Sequence, residues 1–186
     1  MASMPRLRHV DPRTPRGPIY GLLVWFISTG FMTRLARTRP WGAVIWRIDP
    51  LLMRLTRGRL STGLLLPTAL LETRGARTGH LRRNAVIYFH DGERVTIIAS
   101  QAGLPENPSW FYNARANPEV SLAGRPFRAE VIEDEAERER LWALADRVLP
   151  AFARYRDTAG KAGRTIPILQ LVRTDRAQPI ESTISS

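Results

Sequence analysis

Apolar residues in the first third of the chain recur at the spacing of an α-helix. The charge-free residues 17–33 carry one apolar stripe, and residues 41–55 carry a second, in which Asp49-Pro50 forms a typical helix start. The stripes consist of Tyr20, Val24, Ile27, Phe31 and Leu35, and of Trp41, Ile45, Ile48, Leu52 and Leu55. As a helix, the first run would span roughly 26 Å, which is short of the ~30 Å hydrocarbon core of a bilayer. The pattern predicts amphipathic helices and does not favour a membrane-spanning one.

After residue 61 the pattern changes to short β-compatible runs separated by turn residues. Asp91-Gly92 and Ala123-Gly124 each lie between two such runs, which predicts two β-hairpins. Pro67 lies within the first run and favours an edge strand or a bulge there. The predicted strands are residues 64–73, 84–89, 95–100, 120–122, 127–132 and 166–172.

Two helices are predicted between these strands. A short one begins after Asn107, its expected N-cap, and stops at Asn117-Pro118. A longer one begins at Asp134 with an acidic first turn, which suits the positive end of the helix dipole. Its expected buried stripe is Leu141, Leu144, Ala145 and Val148. This order of elements predicts an α+β domain, a mainly antiparallel small barrel with flanking helices.

Charge divides the 186-residue chain unevenly. Residues 1–60 hold eleven arginines and two aspartates, so +9 of the net charge of +11 lies there and +2 in the remainder. Apolar stripes with flanking arginines and with Trp25, Trp41 and Trp46 favour helices that lie in an anionic membrane interface. The alternative is that these helices only cover the core of the domain. Nucleic-acid binding is not favoured, because the remainder lacks a basic stripe with interleaved aromatic residues.

Composition excludes several kinds of active site. The chain has no cysteine, which removes thiolate metal sites, disulfides and cysteine nucleophiles, and its three histidines lack metal-ligand spacing. We therefore expect no metal site. The common dinucleotide, phosphate-loop, serine-hydrolase and zinc-protease motifs do not occur, and the close carboxylates of residues 133–139 are typical of a solvated helix face. A chain of this composition can still be an enzyme if a cofactor carries the reaction.

One candidate motif is a turn with two glycines and several arginines. Exposed backbone N–H groups and bidentate guanidiniums can bind a phosphate or a carboxylate. A turn that is merely solvated has the same composition, so the motif alone leaves both interpretations open. The candidate residues are Arg74, Gly75, Arg77, Thr78, Gly79 and Arg82.

A second motif begins where a predicted strand ends in small polar residues. Small side chains allow a flat ring to approach the backbone, and the following helix carries three consecutive aromatic residues. Neighbours on a helix lie ~100° apart, so at least one of the three should be exposed or line a pocket. The candidate residues are Ala99, Ser100, Gln101, Asn107, Pro108, Trp110, Phe111 and Asn113.

Together these motifs resemble the deazaflavin-dependent nitroreductase family, whose members bind coenzyme F420 on a split β-barrel. Residues 75–79 are similar to the family's Gly-Arg-Lys-Ser/Thr-Gly turn, although Ala76 stands at its usual arginine. Residues 99–118 resemble its Ala-Ser-x-x-Gly and Asn-Pro-x-Trp-Tyr motifs, with Gln101 at a position that often holds lysine. Residues 163–168 are similar to its closing Arg-x-Ile-Pro strand.

The resemblance implies roles for these residues. Arg77 and Arg82 would hold the phosphate and glutamate tail of the cofactor as permanent charges. Because Ala76 replaces the usual arginine, the affinity for the tail would be reduced or shifted to Arg74 or Arg83. Reduced deazaflavin would pass a hydride from C5 to a substrate stacked on its other face. The ring would be bordered by Ser100, Gln101, Trp110 and Asn113.

In the family members that activate nitroimidazoles, a tyrosine-rich stretch precedes the last strand, and residues 149–155 are its counterpart here. Leu149 and Phe152 lack the hydroxyls, which leaves Tyr155 as the candidate proton donor. We expect Leu149 and Phe152 to line an apolar substrate pocket, with helix packing as the alternative for Phe152 and Tyr155. This departure favours a hydrophobic quinone-, enone- or lipid-like substrate over nitro reduction.

The sequence thus predicts a flexible basic arm (residues 1–16), an amphipathic helical segment (17–60), a split β-barrel that binds deazaflavin (61–174) and a C-terminal tail (175–186). We expect a cytoplasmic F420H2-dependent oxidoreductase that associates peripherally with the inner face of the cell membrane; a homodimer is left open. The alternatives are a non-catalytic deazaflavin-, flavin- or lipid-binding protein of the same fold, and a reductase that uses FMN.

Overall fold

The computed structural model describes residues 7–14, 17–29 and 66–174. At its centre is a closed barrel of six strands in the order β1-β2-β3-β6-β5-β4, and all neighbouring strands pair antiparallel. The predicted antiparallel barrel is therefore confirmed. The strands are β1 (Thr68–Arg74), β2 (Leu81–Asp91), β3 (Arg94–Ile98), β4 (Glu119–Leu122), β5 (Arg125–Val131) and β6 (Ile168–Arg173).

Apolar side chains of the strands fill the interior of the barrel. In β1, Ala69, Leu71 and Thr73 are buried while the residues between them are half-buried, as expected for a strand with one inward face. The neighbouring strands β3 and β6 are buried along most of their length, which matches their continuous apolar composition. The largest fully buried side chains of the strands include Leu71, Phe89, Ile97, Leu122, Phe127 and Leu169.

Both predicted hairpins are present. Gly92 turns the chain between β2 and β3 with φ of +62°, and Ala123 and Gly124 turn it between β4 and β5 with φ of +50° and +75°. The prediction for Pro67 is wrong, because β1 begins one residue later. Pro67 precedes the strand, and its carbonyl accepts a hydrogen bond from Tyr88 N at 2.9 Å.

Four helices lie among the described residues: α1 (Pro18–Ile27), α2 (Ser109–Ala116), α3 (Glu135–Val148) and α4 (Ala151–Lys161). Asp134 caps α3 as predicted, since its side chain accepts from Glu137 N at 2.8 Å, and the predicted stripe of α3 is buried. The predicted cap of α2 is wrong. Half-buried Pro108 occupies the N-cap position, and the Asn107 carboxamide instead accepts from Arg164.

The N-terminal part of the chain contacts the barrel and α3. Residues 7–14, which the sequence assigns to a flexible arm, bind the β2–β3 hairpin, where His90 N donates to Val10 O at 2.7 Å. In α1, the Tyr20 hydroxyl donates to Val148 O at 2.9 Å. Within the described ranges, no helix combines the length and hydropathy needed to cross a membrane. The predicted helix at residues 41–55 and the tail at 175–186 lie outside the described residues.

Candidate functional site

The turn between β1 and β2, residues 74–80, forms one side of the candidate site and is named the Gly–Arg turn. Gly75 N donates to His80 O at 2.9 Å, and Gly79 N donates to Gly75 O at 2.8 Å. Gly79 has φ of +68°, in the left-handed region that favours glycine. Gly75 is buried, while Thr78 and Gly79 are exposed at the tip. The turn is a defined structure that presents its tip to solvent.

Two guanidiniums at this turn are accessible to an anion. Arg77 lies in the turn and Arg82 near the start of β2; both are exposed, and neither forms an ion pair within the part of the chain that the structure describes. Arg83, by contrast, places Nε 2.7 Å from Glu72 Oε1. Half-buried Arg74 reaches a carbonyl of the turn at 3.5 Å. Arg77 and Arg82 therefore carry the positive charge that is available to a ligand.

Helix α2 holds the Gly–Arg turn from the side of the core. The buried Asn113 carboxamide accepts from Ala76 N at 3.0 Å through Oδ1 and donates to Thr73 Oγ1 at 3.3 Å through Nδ2. One turn further along the helix, Asn117 Nδ2 donates to Arg74 O at 3.3 Å. Two motifs that are about forty residues apart in sequence are thus joined in space. Both the oxygen and the nitrogen of the Asn113 carboxamide are therefore hydrogen-bonded to residues of the protein.

The segment after β3, residues 99–104, forms the other side of the site and is named the small-residue loop. Arg164, which precedes β6, anchors it. The guanidinium donates through Nε to Asn107 Oδ1 at 2.7 Å, so it fixes the end of the loop next to α2. Its Nη1 and Nη2 groups donate to the backbone carbonyls of buried Ala99, half-buried Ser100 and Leu104.

Three successive residues of the small-residue loop have left-handed backbone conformations. Gln101, Ala102 and Gly103 have φ of +46°, +51° and +74°, and the first two are not glycine. Such conformations cost free energy and persist only where the surroundings determine them. The backbone of α4 provides part of these surroundings, because a Cβ atom added at Gly103 would lie 2.8 Å from Tyr155 O and 3.1 Å from Tyr155 Cα. The loop therefore packs directly against the helix that carries the candidate proton donor.

Tyr155 is half-buried, and its ring packs edge-on against Phe152 with 6.1 Å between centroids. Burial raises the pKa of the Tyr155 hydroxyl, and nearby Arg154 opposes this effect. The hydroxyl is consequently protonated at neutral pH. Phe152 and Leu149 are each only 2% exposed and belong to the core, so neither presents the surface that a substrate-lining residue needs. The environment of Phe152 is that of a packed helix residue, the alternative given for it above.

The three aromatic residues of α2 divide as their helical spacing predicts. Trp110 and Phe111 are 6% and 4% exposed, whereas Tyr112 is 44% exposed. The exposed ring is therefore Tyr112, which was not among the candidate residues, and the two candidates lie in the core. Burial lowers the pKa of the Arg164 guanidinium, and the charge of Tyr112 opposes this effect.

Arg164 is the main positioning residue that the sequence did not single out. It belongs to the Gly163-Arg164-Thr165-Ile166-Pro167 motif, which contributed to the family resemblance but had no predicted role. The available signal was an arginine directly before a buried apolar strand. A guanidinium at such a place must find acceptors nearby, because a buried charge without partners is costly.

Comparison with known proteins identifies the family of the chain. A family model described as F420H(2)-dependent quinone reductase matches residues 46–174. Over 139 residues, the chain is 30% identical to an F420H(2)-dependent quinone reductase of Mycobacterium tuberculosis, which covers 71% of this chain and 92% of that relative.

Two solved structures are also similar. An F420-H2 dependent reductase is 32% identical with a TM-score of 0.49, covering 56% of this chain and 93% of its own. A protein described as a domain-swapped dimer is 28% identical with a TM-score of 0.51, covering 67% of this chain and 96% of its own. Since the family model spans well over half of the sequence, the chain belongs to the F420H(2)-dependent quinone reductase family.

Proposed function

We propose that this F420H2-dependent oxidoreductase reduces a quinone-like acceptor at a membrane surface, with its cofactor between the Gly–Arg turn and the small-residue loop and with Tyr155 as the proton donor. The observation that carries this proposal is the packing of Gly103 against the backbone of Tyr155. Because of this contact, the loop that is expected to border the deazaflavin ring lies next to Tyr155, the candidate proton donor.

The donor groups of the Gly–Arg turn fit an anionic cofactor tail. Arg77 and Arg82 are exposed guanidiniums without carboxylate partners among the described residues, and Asn113 fixes the backbone beside them. Guanidiniums bind phosphate and carboxylate oxygens in bidentate fashion and remain charged at every physiological pH. The turn thus supports binding of the phosphate and glutamate groups of coenzyme F420.

The small-residue loop fits a planar ring. Its side chains at Ala99, Ser100 and Ala102 are short, and Arg164 holds its backbone from the other side. A fixed, shallow surface of this kind can position a ring without rearrangement at the moment of reaction. When bound, F420H2 supplies the hydride, and this chain's residues orient the reactants and handle the proton.

Reduction of a quinone to a quinol adds one hydride and one proton. In the proposed reaction the Tyr155 hydroxyl donates that proton to a quinone oxygen and is then reprotonated from solvent. Burial raises the pKa of Tyr155, so the acid form persists across neutral pH. The apolar surroundings of Tyr155, which include Phe152, suit a hydrophobic acceptor.

The membrane part of the proposal rests on the N-terminal segment. Leu22 and Trp25 on α1 are 68% and 66% exposed, and residues 1–60 carry eleven arginines. Exposed large apolar side chains on an arginine-flanked helix are typical of helices that lie in a membrane interface. Such a location would give the enzyme access to a membrane-dissolved quinone from the cytoplasmic side.

Tyr155→Phe tests the catalytic role. We expect kcat for F420H2 oxidation by a water-soluble quinone to fall by roughly 10²-fold or more, because general acid catalysis contributes about that factor. F420 affinity, measured through deazaflavin fluorescence, should change less than twofold. Tyr112→Phe is the matched control, since it removes the same hydroxyl from an exposed ring. Unchanged kcat in Tyr155→Phe contradicts the assignment of the acid, and failure of the wild-type protein to bind F420 contradicts the proposed function itself.

A further inference from the structure

A cavity lies between α1 and the corner that joins α3 to α4. Its volume is about 560 Å³. We name it the α1 groove. Its α1 side is formed mainly by Tyr20, Gly21, Val24, Trp25 and Ser28, and its opposite side by Arg147, Pro150 and Arg154.

The described residues do not neutralise the positive charge on the wall of the α1 groove. None of those that line it is acidic, and the exposed Arg147 and Arg154 form no ion pair within the same part of the chain. Arg13 also lines the groove, but its guanidinium lies 3.0 Å from Asp91. Two guanidiniums from adjacent helices therefore face the groove without a counterion, which is the donor set expected for a phosphate group.

A buried polar atom in the α1 groove gives independent evidence for a ligand. Ser28 is 6% exposed and lines the groove, and its Oγ has no hydrogen-bond partner among the described residues. Buried hydroxyls in native proteins are nearly always hydrogen-bonded, so this hydroxyl is available to a partner other than the described residues. A polar ligand in the groove would supply it.

The edge of the α1 groove is apolar and open to solvent. Trp25, which lines the groove, is 66% exposed, and Leu22, three residues earlier on the same helix, is 68% exposed. Residues three apart lie on neighbouring positions of one helix face. A ligand held by Arg147 and Arg154 would therefore lie next to an apolar surface that suits an acyl chain.

We propose that the α1 groove binds the headgroup of one anionic phospholipid, with Arg147 and Arg154 on the phosphate and Ser28 on a headgroup oxygen. The acyl chains would leave along Leu22 and Trp25 into the bilayer. The proposal deepens the membrane location that forms part of the proposed function. A quinone headgroup is neutral and does not account for two unpaired guanidiniums.

The test uses dihexanoyl phosphatidylglycerol below its critical micelle concentration and the full-length protein, with binding measured by calorimetry. We expect saturable binding, and about tenfold weaker binding for Arg147→Ala/Arg154→Ala because two charge-assisted contacts are lost. The matched control, Arg125→Ala/Arg173→Ala, removes the same charge from two barrel arginines that also form no ion pair among the described residues, and it should change affinity less than twofold. If both double variants lose the same affinity, the lipid responds only to the total charge of the protein, and the proposal is overturned.

A second pair of variants tests the groove by its volume, without a change of charge: one variant fills the cavity and the other is its control. A Cβ atom added at Gly21 or at Gly160 meets no atom within 4 Å, and only Gly21 lines the groove. Gly21→Gln should block phosphatidylglycerol binding, whereas Gly160→Gln should leave it intact; glutamine suits both helices. If Gly21→Gln binds like wild type, the groove is not the site.

Two further ligands separate the possible sources of the phosphate. Glycerol phosphate should bind far more weakly than the short-chain lipid; equal affinity would identify a site for a free phosphate ester and contradict the proposal. Dihexanoyl phosphatidylcholine should also bind more weakly, and equal affinity would remove the requirement for an anionic headgroup. F420 titration of the same samples reports on the proposed function separately, because the groove variants leave the Gly–Arg turn and the small-residue loop unchanged.

Discussion

The Gly–Arg turn and the small-residue loop, between which we propose that the cofactor binds, are held by the protein in different ways. The loop is fixed by the Arg164 guanidinium and by the backbone of α4, and three of its residues have left-handed conformations. The turn is fixed by Asn113 and Asn117 on its inner side, and the guanidiniums of Arg77 in the turn and of Arg82 beside it are exposed.

This difference matches the two ends of the proposed cofactor. A planar ring that transfers a hydride must be positioned accurately, so the surface beneath it has to be rigid. A tail of phosphate and glutamate groups needs charge more than exact geometry, and long arginine side chains can follow it. The comparison predicts that substitutions in the small-residue loop lower the free energy of unfolding and the turnover rate, whereas substitutions in the Gly–Arg turn lower the affinity for F420.

Arg164→Ala should have the largest effect. It leaves the acceptors on Ala99, Ser100, Leu104 and Asn107 without their donor, and we expect a loss of about 3–4 kcal/mol in the free energy of unfolding. Urea denaturation measures this loss, and turnover at a temperature where the variant is folded should fall as well.

Arg164→Lys separates charge from geometry in the same experiment. Lysine keeps the positive charge but cannot reproduce the fork that reaches several acceptors at once. We expect it to restore less than half of the lost stability. Full restoration would mean that charge alone holds the loop, and the contrast with the turn would disappear.

Gly103→Ala should have the next largest effect. The backbone at residue 103 is left-handed, and the added Cβ atom would lie 2.8 Å from Tyr155 O, so the loop or α4 must shift. We expect the free energy of unfolding to fall by about 2–3 kcal/mol. Gly92→Ala is the matched control, because Gly92 has φ of +62° but open space around the new atom, and it should cost about 1 kcal/mol. Both are measured by urea denaturation. A shift at Tyr155 should also lower kcat in Gly103→Ala alone; equal effects of the two variants would argue against the contact.

The features that were predicted from sequence depend on local chemistry. The Asp91-Gly92 turn and the Asp134 cap involve partners within a few residues, and both are present. The cap at Asn107 was predicted by the same rule and is wrong, because Arg164, 57 residues later, competes for its carboxamide. Local patterns predict an interaction only when no distant partner offers a stronger one, and a charged donor does so here.

The site was predicted as a set of residues but not as an arrangement. Asn113 and Trp110 were both expected to border a ring, yet Asn113 holds the Gly–Arg turn and Trp110 is buried. The helical spacing required at least one of the three aromatic residues to be exposed or to line a pocket. It could not identify Tyr112 as the exposed one, since the inward face of α2 depends on how the helix packs on the barrel.

Arg77→Ala should have the smallest effect on stability and a clear effect on cofactor affinity. Its guanidinium is exposed and unpaired within the described structure, so we expect less than about 0.5 kcal/mol in unfolding and about tenfold weaker F420 binding, with a lower dependence on salt. Arg83→Ala removes the same charge near the same turn, but that charge is already matched by Glu72 at 2.7 Å, so F420 affinity should change less than threefold. Deazaflavin fluorescence titrations at two salt concentrations measure both variants. If Arg83→Ala weakens binding as much as Arg77→Ala, the tail responds to total charge near the turn, and the accessible guanidinium at Arg77 has no special part in holding it.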